Sequence, residues 1–285
     1  MYSQPVYIQS VASIHPNGEL SENMLIAREP DYKLWIVDAG LRRRMSRIIK
    51  MGVTTGLQCL HSCSHHVDAV ITATGLGCLT DTEKFLKSIS EQEEELLSPT
   101  PFIQSTFNTI GGQIALISGN KSYNSTYVHR AFSFESALLD GILQLQSGNA
   151  DNVLVGAADE LTPTVFQILK RMRAWRKFHA GEGTSFFLLS STKTDKTIAQ
   201  IVAMDMQSGN FSTSELENKR QNFLQKHNAE NAHIIGDREY KAICGEYHTA
   251  SAFGLWYACS QISDNDIILI CNSFLNNHTS ILIKK

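Results

Sequence analysis

A strand, a sharp turn and an amphipathic helix follow one another between Thr126 and Glu160, in the stretch TYVHRAFSFESALLDGILQLQSGNADNVLVGAADE. Many acyl-transfer enzymes place a nucleophile at such a turn, because the free N–H groups and the dipole of the helix stabilise a thiolate or an oxyanion there. The residues at this turn are Arg130, Ala131, Phe132, Ser133 and Phe134. None of them is a cysteine, so the framework of a nucleophile site surrounds a turn that lacks the usual nucleophile.

Ser133 and His248 are the remaining candidates for chemistry. His248, in KAICGEYHTASAFG, lies where the chain enters a helix and could act as an acid–base group or stabilise an oxyanion. Elbow serines of hydrolases lie between glycines, whereas phenylalanines flank Ser133. The simpler interpretation makes Ser133 a helix N-cap with Glu135 in the first turn, and His248 a cap or a solvent-facing residue. Both interpretations stay open at this point.

Two further motifs suggest metal or cofactor binding but lack the required spacing. In CLHSCSHHVD, Cys59 and Cys63 continue the apolar stripe of a helix, and a second tightly spaced pair of zinc ligands is missing. GLGCLT lacks the third glycine of a dinucleotide-binding loop and the acidic residue that should follow the next strand. We therefore expect no metal and no cofactor.

The amino-acid composition limits which class of protein this chain can belong to and which partners it can bind. With 285 residues and 42% hydrophobic residues the chain can bury a large core, while a net charge of -3 argues against nucleic acid as the main partner. A basic cluster is expected to form a solvated or interface face: Arg42, Arg43, Arg44, Arg47 and Lys50. The first residues lack a signal-peptide pattern and no apolar run has the length of a membrane span, so we expect a cytoplasmic protein without membrane insertion.

Strand patterns alternate with helix patterns along the chain, which predicts a layered α/β architecture. Apolar residues at three- and four-residue spacing predict a helix from Leu41 to about Leu60. In GCLTDTEKFLKSI, Thr80 and Glu83 have the spacing of a capping box. The polar stretch EQEEELLSPTP is expected to be a loop, because two prolines interrupt it.

Several of these segments, in this order, resemble the thiolase-fold β-ketoacyl synthases. VYIQSVASIHPNG resembles the family's opening strand, SPTPFIQSTFNTIGGQIAL the segment before the nucleophile, and HRAFSFESALLDGILQLQSGNADNVLVGAADE the elbow, its helix and the next strand. GEGTSFFLLSS matches the Gly-Glu-Gly motif, KAICGEYHTASAFG the Lys and Gly-His helix start, and CNSFLNNHTSILIKK the closing Asn-Ser-Phe loop. The resemblance implies a compact α-β-α-β-α fold, with an N-terminal half at 1–165 and a shortened C-terminal half at 166–285.

The resemblance also shows where this chain departs from the family. Counting back from Ser147 and Gly148 places the family's catalytic cysteine on Ala131, and matching the local AFS places it on Phe132. The first histidine is missing, and the second falls on Glu246 without a gap or on His248 with two inserted residues. The Phe-Gly-Gly part of the closing loop is replaced by Leu275, Asn276 and Asn277. The departures leave two vestigial sets, one of Ala131, Phe132 and Ser133 and one of Lys241, Glu246 and His248.

The combined pattern resembles the chain length factors, in particular the small ones of aryl-polyene-type pigment pathways. It implies a non-catalytic subunit that pairs with an active β-ketoacyl-ACP synthase and acts together with acyl carrier protein. The resemblance makes four aromatic residues candidates for the interface or the acyl channel: Phe107, Phe132, Phe134 and Phe274. The alternatives are an active synthase or acyltransferase using Ser133 and His248, and a homodimer that binds only carrier protein.

Overall fold

The structure is a computed structural model that describes residues 4–61, 66–92, 95, 97–175 and 177–285. The strands are β1 Val6–Ile14, β2 Leu20–Ser21, β3 Met24–Leu25, β4 Ala69–Ala73, β5 Tyr123–Tyr127, β6 Asn152–Asp159, β7 Ala180–Gly181, β8 Gly183–Ser190, β9 Ala199–Ser208, β10 His233–Ile235, β11 Ile267–Phe274 and β12 Asn277–Lys284. The helices are α1 Ala39–Arg44, α2 Arg47–His61, α3 Leu79–Glu91, α4 Pro99–Ser105, α5 Thr109–Ser118, α6 Ser133–Gln146, α7 Pro163–Arg171, α8 Thr213–Lys226, α9 Asp237–Cys244 and α10 Ala250–Gln261. Short 3₁₀ turns span Tyr32–Leu34 and Arg130–Phe132.

One large hydrogen-bonded sheet runs in the order β10-β11-β12-β9-β1-β8-β6-β4-β5, and β2, β3 and β7 form a small second sheet. The large sheet consists of two halves that meet where β1 pairs with β9. That junction is short, because only Val6, Tyr7 and Ile8 of β1 pair with β9, whereas β1 pairs with β8 along most of its length. β5 lies at the edge of the half that carries the elbow.

Helices α6 and α10 form a central layer between the two halves of the sheet. α10 contacts both β8 and β11, and one continuous apolar core joins α6 and α10 to strands from both halves. α2 and α5 cover the outer face of the first half, and α8 covers the outer face of the second. This arrangement of α, β, α, β and α layers confirms the predicted thiolase-like fold.

Strand β8 shows why the sequence folds into these layers. All eight residues of its run GTSFFLLS are buried. Phe187 and Leu189 join the central core with α6, while Phe186 and Leu188 join the outer core with α2. A strand covered on both faces requires such an uninterrupted apolar run rather than alternation.

Three local predictions are wrong. The helix expected from Leu41 to Leu60 is divided at Met45, whose extended backbone ends α1 before α2 begins. The proline-containing stretch expected to be a loop includes the helix α4, since Pro99 occupies a first-turn position where its missing N–H does no harm. Thr80 and Glu83 form no capping box, because both side chains instead bond to residues that follow β6.

We expect Gly141→Ala to destabilise the fold, although alanine is the better helix former. A Cβ atom at this position of α6 would lie 2.6 Å from Cγ2 of Val155 on β6, so the helix would have to move off the strand. The free energy of unfolding should fall by roughly 1–3 kcal/mol.

Gly112→Ala, on the open face of α5, provides the matched control. Nothing lies within 4 Å of a Cβ atom there, so the free energy of unfolding should rise by about 0.5–1 kcal/mol through helix propensity alone. Chemical denaturation of both variants measures the two effects. Equal responses of the two variants would contradict the described packing of α6 on β6.

Candidate functional site

The turn between β5 and α6 has the geometry of a nucleophile elbow. The strand ends at Tyr127, the 3₁₀ turn follows, and α6 begins at Ser133. Within this turn Arg130 adopts φ of 51°, a left-handed conformation that an L-residue with a side chain adopts at a cost. A strained residue between strand and helix is the position from which elbow nucleophiles project. The structure therefore puts Arg130 at the strained position, one residue before Ala131 and two before Phe132.

Ser133 is bonded to the backbone of its own turn. Its side chain is fully buried, its Oγ accepts a hydrogen bond from His129 N at 2.8 Å, and it donates one to Arg130 O at 2.8 Å. The N-cap prediction is wrong, because Phe132 occupies the N-cap position of α6 and makes no side-chain capping bond. Ser133 thus stabilises the strained turn and does not present a free hydroxyl.

Glu135 lies in the first turn of α6, as expected, and is also completely buried. Burial raises the pKa of its carboxyl group, and the hydroxyl groups of Ser251 and Thr279 oppose that rise. The residue consequently belongs to the central layer between the two sheet halves.

Asp159, the last residue of β6, links the loop after β4 to the start of α10. Its Oδ1 accepts hydrogen bonds from Thr74 Oγ1 and Gly75 N at 2.8 Å, and from Leu76 N at 3.4 Å. Its Oδ2 accepts from Thr249 Oγ1 at 2.8 Å and Thr249 N at 3.1 Å. The buried carboxylate thus accepts five hydrogen bonds, and these fix the relative position of two loops from different halves of the chain.

His248 lies beside this clamp, on the side of the elbow. The Cβ atom of His248 occupies the space that a side chain on residue 75 would need, so His248 packs directly against Gly75. On the elbow, Arg130 Nη1 lies 3.4 Å from the carbonyl oxygen of the same glycine. The imidazole, only 9% exposed, packs edge-on against Phe274 with ring centres 5.0 Å apart. Burial lowers the pKa of His248, with Asp159 raising it and Arg130 lowering it further. The imidazole is therefore buried and biased towards its neutral form.

Lys241 and Glu246 form a buried ion pair on the other side of the same loop. Lys241 Nζ lies 2.8 Å from Glu246 Oε1 and 3.0 Å from Oε2, and it donates to Ser273 O at 3.0 Å. The ammonium group also lies 5.3 Å from the ring centre of Phe178. Burial raises the pKa of Glu246 to about 7 despite this neighbour. Of the two positions open for the family's second histidine, Glu246 contacts the lysine, whereas His248 packs against Gly75 and Phe274.

Two glycines bring the loop that carries Glu246 against the Gly-Glu-Gly motif. Gly181 N donates to Glu246 O at 3.0 Å, and Glu246 N donates to His179 O at 2.8 Å. A Cβ on Gly181 would lie 2.0 Å from Cys244 O and 2.7 Å from the Cα of Gly245, so neither strand nor loop tolerates a side chain here. The first glycine of the motif is therefore explained by close backbone approach.

Glu182, the acid of the same motif, binds a third part of the chain. It is fully buried and accepts two hydrogen bonds from Arg47, from Nη1 at 2.8 Å and from Nη2 at 2.6 Å. It also accepts from Ala27 N at 2.9 Å and Leu161 N at 3.2 Å. Arg47, which belongs to the basic cluster expected on a solvated or interface face, instead anchors α2 to the Gly-Glu-Gly turn.

Two cavities flank the buried ion pair. A cavity of about 840 Å³ is lined by Lys241, and a neighbouring one of about 470 Å³ is lined by Glu246 and Phe274. Residues that line both are Lys177, Thr213, Leu216 and Ser273. Solvent-accessible space thus approaches the vestigial second-half residues from the side of α8.

The cysteines of the described chain are not placed for catalysis. Cys59, Cys78, Cys244, Cys259 and Cys271 are all buried. Burial raises the pKa of the Cys78, Cys244 and Cys271 thiols, and that of Cys259 to about 12. Cys63 lies outside the described residues. Among the residues that the structure describes, no group of three or more His, Cys, Asp or Glu is arranged to hold a metal ion.

The four aromatic candidates occupy different environments. Phe107 is half exposed and lies against Gly77, and Phe132 is partly buried beside His129. Phe134 is completely buried and packs on Phe187, with ring centres 5.6 Å apart. Phe274 is buried against His248 and borders the smaller cavity. Phe134 therefore has no surface to offer an interface, whereas Phe107 and Phe132 keep exposed area.

Sequence reasoning missed Arg130 and Asp159 as site residues. No local pattern indicates the positive φ of Arg130, because the left-handed turn is set by the packing of β5 against α6. Asp159 could have been recognised from the sequence, since an acid at the end of an almost completely buried strand requires several hydrogen-bond donors.

The raised pKa of the buried Glu160 carboxyl group predicts a pH-dependent change in stability. It accepts hydrogen bonds from Thr80 N at 2.9 Å and Thr80 Oγ1 at 2.8 Å, and burial raises its pKa to about 7. The folded chain thus keeps this proton up to about pH 7 while the unfolded chain loses it near pH 4.5, so Glu160 contributes less stability as pH rises through that window. The free energy of unfolding of the wild type minus that of Glu160→Gln should therefore decrease between these pH values.

Denaturant titrations at about pH 5 and about pH 7.5 measure this difference. Glu230→Gln, at an exposed carboxyl group, controls for the loss of a surface charge. A constant difference between the wild type and Glu160→Gln would show that Glu160 does not titrate in the folded chain as described.

Comparisons with known proteins identify the family. A family model described as the β-ketoacyl synthase N-terminal domain matches residues 19–248. A search of curated proteins gives no match.

Solved structures share the fold over nearly the whole chain. The ishigamide ketosynthase/chain length factor aligns with a TM-score of 0.80 at 12% identity, covering 98% of this chain and 99% of that chain. AntDE:AntF, a type II PKS acyl-carrier protein in complex with its ketosynthase bound to the hexaketide, aligns with a TM-score of 0.78 at 15% identity, covering 99% of both chains. The ketosynthase ApeO in complex with its chain length factor ApeC from Xenorhabdus doucetiae gives 0.61 at 15% identity, covering 97% of this chain and 98% of that chain. These similarities establish the fold, and since the family model covers well over half of the sequence, the chain belongs to the β-ketoacyl synthase family.

Proposed function

We propose that this protein is a non-catalytic ketosynthase-like subunit, a chain length factor. It pairs with an active β-ketoacyl-ACP synthase and helps to bound the pocket in which an acyl or polyene chain grows on acyl carrier protein, in aryl-polyene-like or related chain elongation. The observation that carries the proposal is the elbow itself, which keeps its strained geometry and presents an arginine.

The described site residues support a role without Claisen-type condensation by this chain. That reaction needs a nucleophile that holds the acyl chain and groups that stabilise the malonyl-derived carbanion. A guanidinium such as that of Arg130 is not among the groups that act as covalent nucleophiles, and the hydroxyl of Ser133 is bonded to backbone. Lys241 and Glu246 bind each other. The serine–histidine alternative therefore loses its nucleophile.

Two of the similar structures contain a chain length factor together with a ketosynthase, in the ishigamide system and in Xenorhabdus doucetiae. The AntDE:AntF structure contains an acyl-carrier protein with its ketosynthase. We transfer these partners to the present chain as part of the proposal, because its fold is shared and its elbow lacks a cysteine.

The open edge of β5 supports a protein partner on the elbow side. Among the strands that the structure describes, β5 pairs with β4 alone, which leaves its outer edge open to pairing with another strand. Helices α5 and α6 flank this edge, and each presents a large exposed apolar side chain, Leu116 at 67% and Leu143 at 53% exposure. Apolar surface on both sides of an open strand is the chemistry of a permanent interface.

Helix α5 adds to this argument because it is apolar on both faces. Its inner face packs Ile110 and Ile114 into the core below. Its outer face presents Gly112 and Leu116, with open space above the glycine. A helix that is apolar all round is expected to be covered on both sides.

A cytoplasmic location is part of the proposal. Within the described residues no helix combines the length and the apolarity needed to span a bilayer.

We expect no covalent acylation of this chain. Purified protein incubated with an acyl thioester, and separately with a mechanism-based ketosynthase inhibitor, should keep its unmodified mass, because no described cysteine is exposed and Ser133 is buried. Intact-protein mass spectrometry measures the adduct, with a catalytic ketosynthase as the positive control. Stoichiometric modification of Ser133 or of any cysteine would contradict the proposal.

We expect Leu116→Arg to weaken the complex with the co-expressed ketosynthase by about tenfold or more, because it places a charge in the exposed apolar surface beside β5. Leu34→Arg is the matched control, since Leu34 is 74% exposed and lies in the 3₁₀ turn before α1. Both sites are exposed, so both variants should fold. Isothermal titration with the purified partner gives the two dissociation constants.

Equal dissociation constants for the wild type and Leu116→Arg would show that the partner does not bind on the β5 side. A chain that purifies as a stable homodimer and ignores the ketosynthase would contradict the pairing itself.

A further inference from the structure

The absence of a nucleophile does not explain why an arginine, Arg130, occupies the strained position of the elbow. Its φ of 51° is a conformation that glycine adopts without strain, whereas an arginine adopts it at a cost. Strain of this kind persists where the surrounding structure imposes it and is common at functional sites. A long cationic side chain at the strained apex therefore requires a role other than nucleophilic catalysis.

Arg130 is exposed, and its guanidinium group lacks an acidic partner within the described chain. Its one hydrogen bond there joins Nη1 to Gly75 O at 3.4 Å, and the ion pairs of the described residues do not include it. Asp159 is near enough to affect His248 together with Arg130, but its two oxygens already accept five hydrogen bonds. Nothing described on this chain therefore neutralises the charge.

Arg130 lies close along the chain to the open strand. It is the third residue after β5, and both intervening residues, Val128 and His129, are exposed like Arg130 itself. Under the proposed function this side faces the partner subunit. Covering an uncompensated cation with protein removes its hydration, and the loss is offset only if an anion is supplied.

We propose that Arg130 is an interface anchor that binds a carboxylate side chain of the partner ketosynthase subunit. The proposal rests on the proposed function, because it needs that partner to be seated on the β5 side. A carboxylate fits best, since the planar fork of a guanidinium can donate two parallel hydrogen bonds to its two oxygens. The elbow strain then has a structural purpose, because it holds the base of the arginine side chain at the rim of the interface.

Three substitutions separate charge, geometry and strain. Arg130→Ala removes the side chain, Arg130→Gly removes it and also relieves the strained backbone, and Arg130→Lys keeps the charge but not the fork. Arg173→Ala is the matched control, because Arg173 is likewise exposed and has a positive φ of 59° but lies beside the smaller cavity. The readout is the dissociation constant of each variant with the purified partner ketosynthase, at low and at high salt.

We expect Arg130→Ala and Arg130→Gly to bind the partner roughly 10- to 100-fold more weakly, Arg130→Lys to fall between them and the wild type, and Arg173→Ala to bind like the wild type. Binding of the wild type should weaken with salt more than binding of Arg130→Ala does.

The inference is overturned if Arg130→Ala binds the partner like the wild type while the heterodimer forms, an outcome that leaves the proposed function standing. It is also overturned if Arg130→Gly restores binding, since backbone strain rather than the guanidinium would then control it. Unchanged affinity with impaired elongation would assign the charge to a substrate anion instead. Absence of any heterodimer with the wild type would instead refute the proposed function.

Discussion

The buried carboxylate of Asp159 is the interaction on which the arrangement of the site depends. It ends β6 and takes five hydrogen bonds, three from the loop after β4 and two from the residue before α10. Because these loops come from opposite halves of the chain, one side chain sets how the halves meet beneath the elbow. Gly75 is thereby held where His248 packs on its Cα and where Arg130 reaches its carbonyl oxygen. A buried acid with so many donors stays in place and resists substitution.

The rest of the site repeats the same principle, with polar groups used for positioning rather than for reaction. Glu182 binds Arg47 and two backbone N–H groups, Lys241 binds Glu246, and Ser133 closes its own turn. Each of these groups would have to be released before it could bind substrate. The result is a thiolase-like framework whose elbow is fixed in the geometry of a nucleophile site but whose exposed apex is a cation. Such a framework suits a subunit that shapes a pocket for a neighbour, because rigid walls determine how long a chain can fit.

Much of the fold could be predicted from the sequence, since its signals are local. The uninterrupted apolar run of β8 and the alternation of strand and helix patterns are sufficient for the layered architecture, and motif order is sufficient for the family. The site was less predictable. Thr80 and Glu83 matched a capping box in spacing, but two residues after β6 compete for their side chains. Glu135 lies in the first turn of α6 as predicted, but its complete burial was not predictable from local spacing, because it follows from the position of α6 between two sheet halves. Long-range packing of this kind, including the turn that strains Arg130, leaves no periodic signal.

The central claim is that this chain supports condensation without catalysing it. The most direct measurement is elongation of an acyl chain on carrier protein by the purified one-to-one complex in which only the partner's catalytic cysteine is replaced by alanine. We expect elongation to be abolished, no acyl adduct to form on this chain, and the complex itself to remain intact. Continued elongation by that complex, or elongation by this chain alone, would contradict the proposed role.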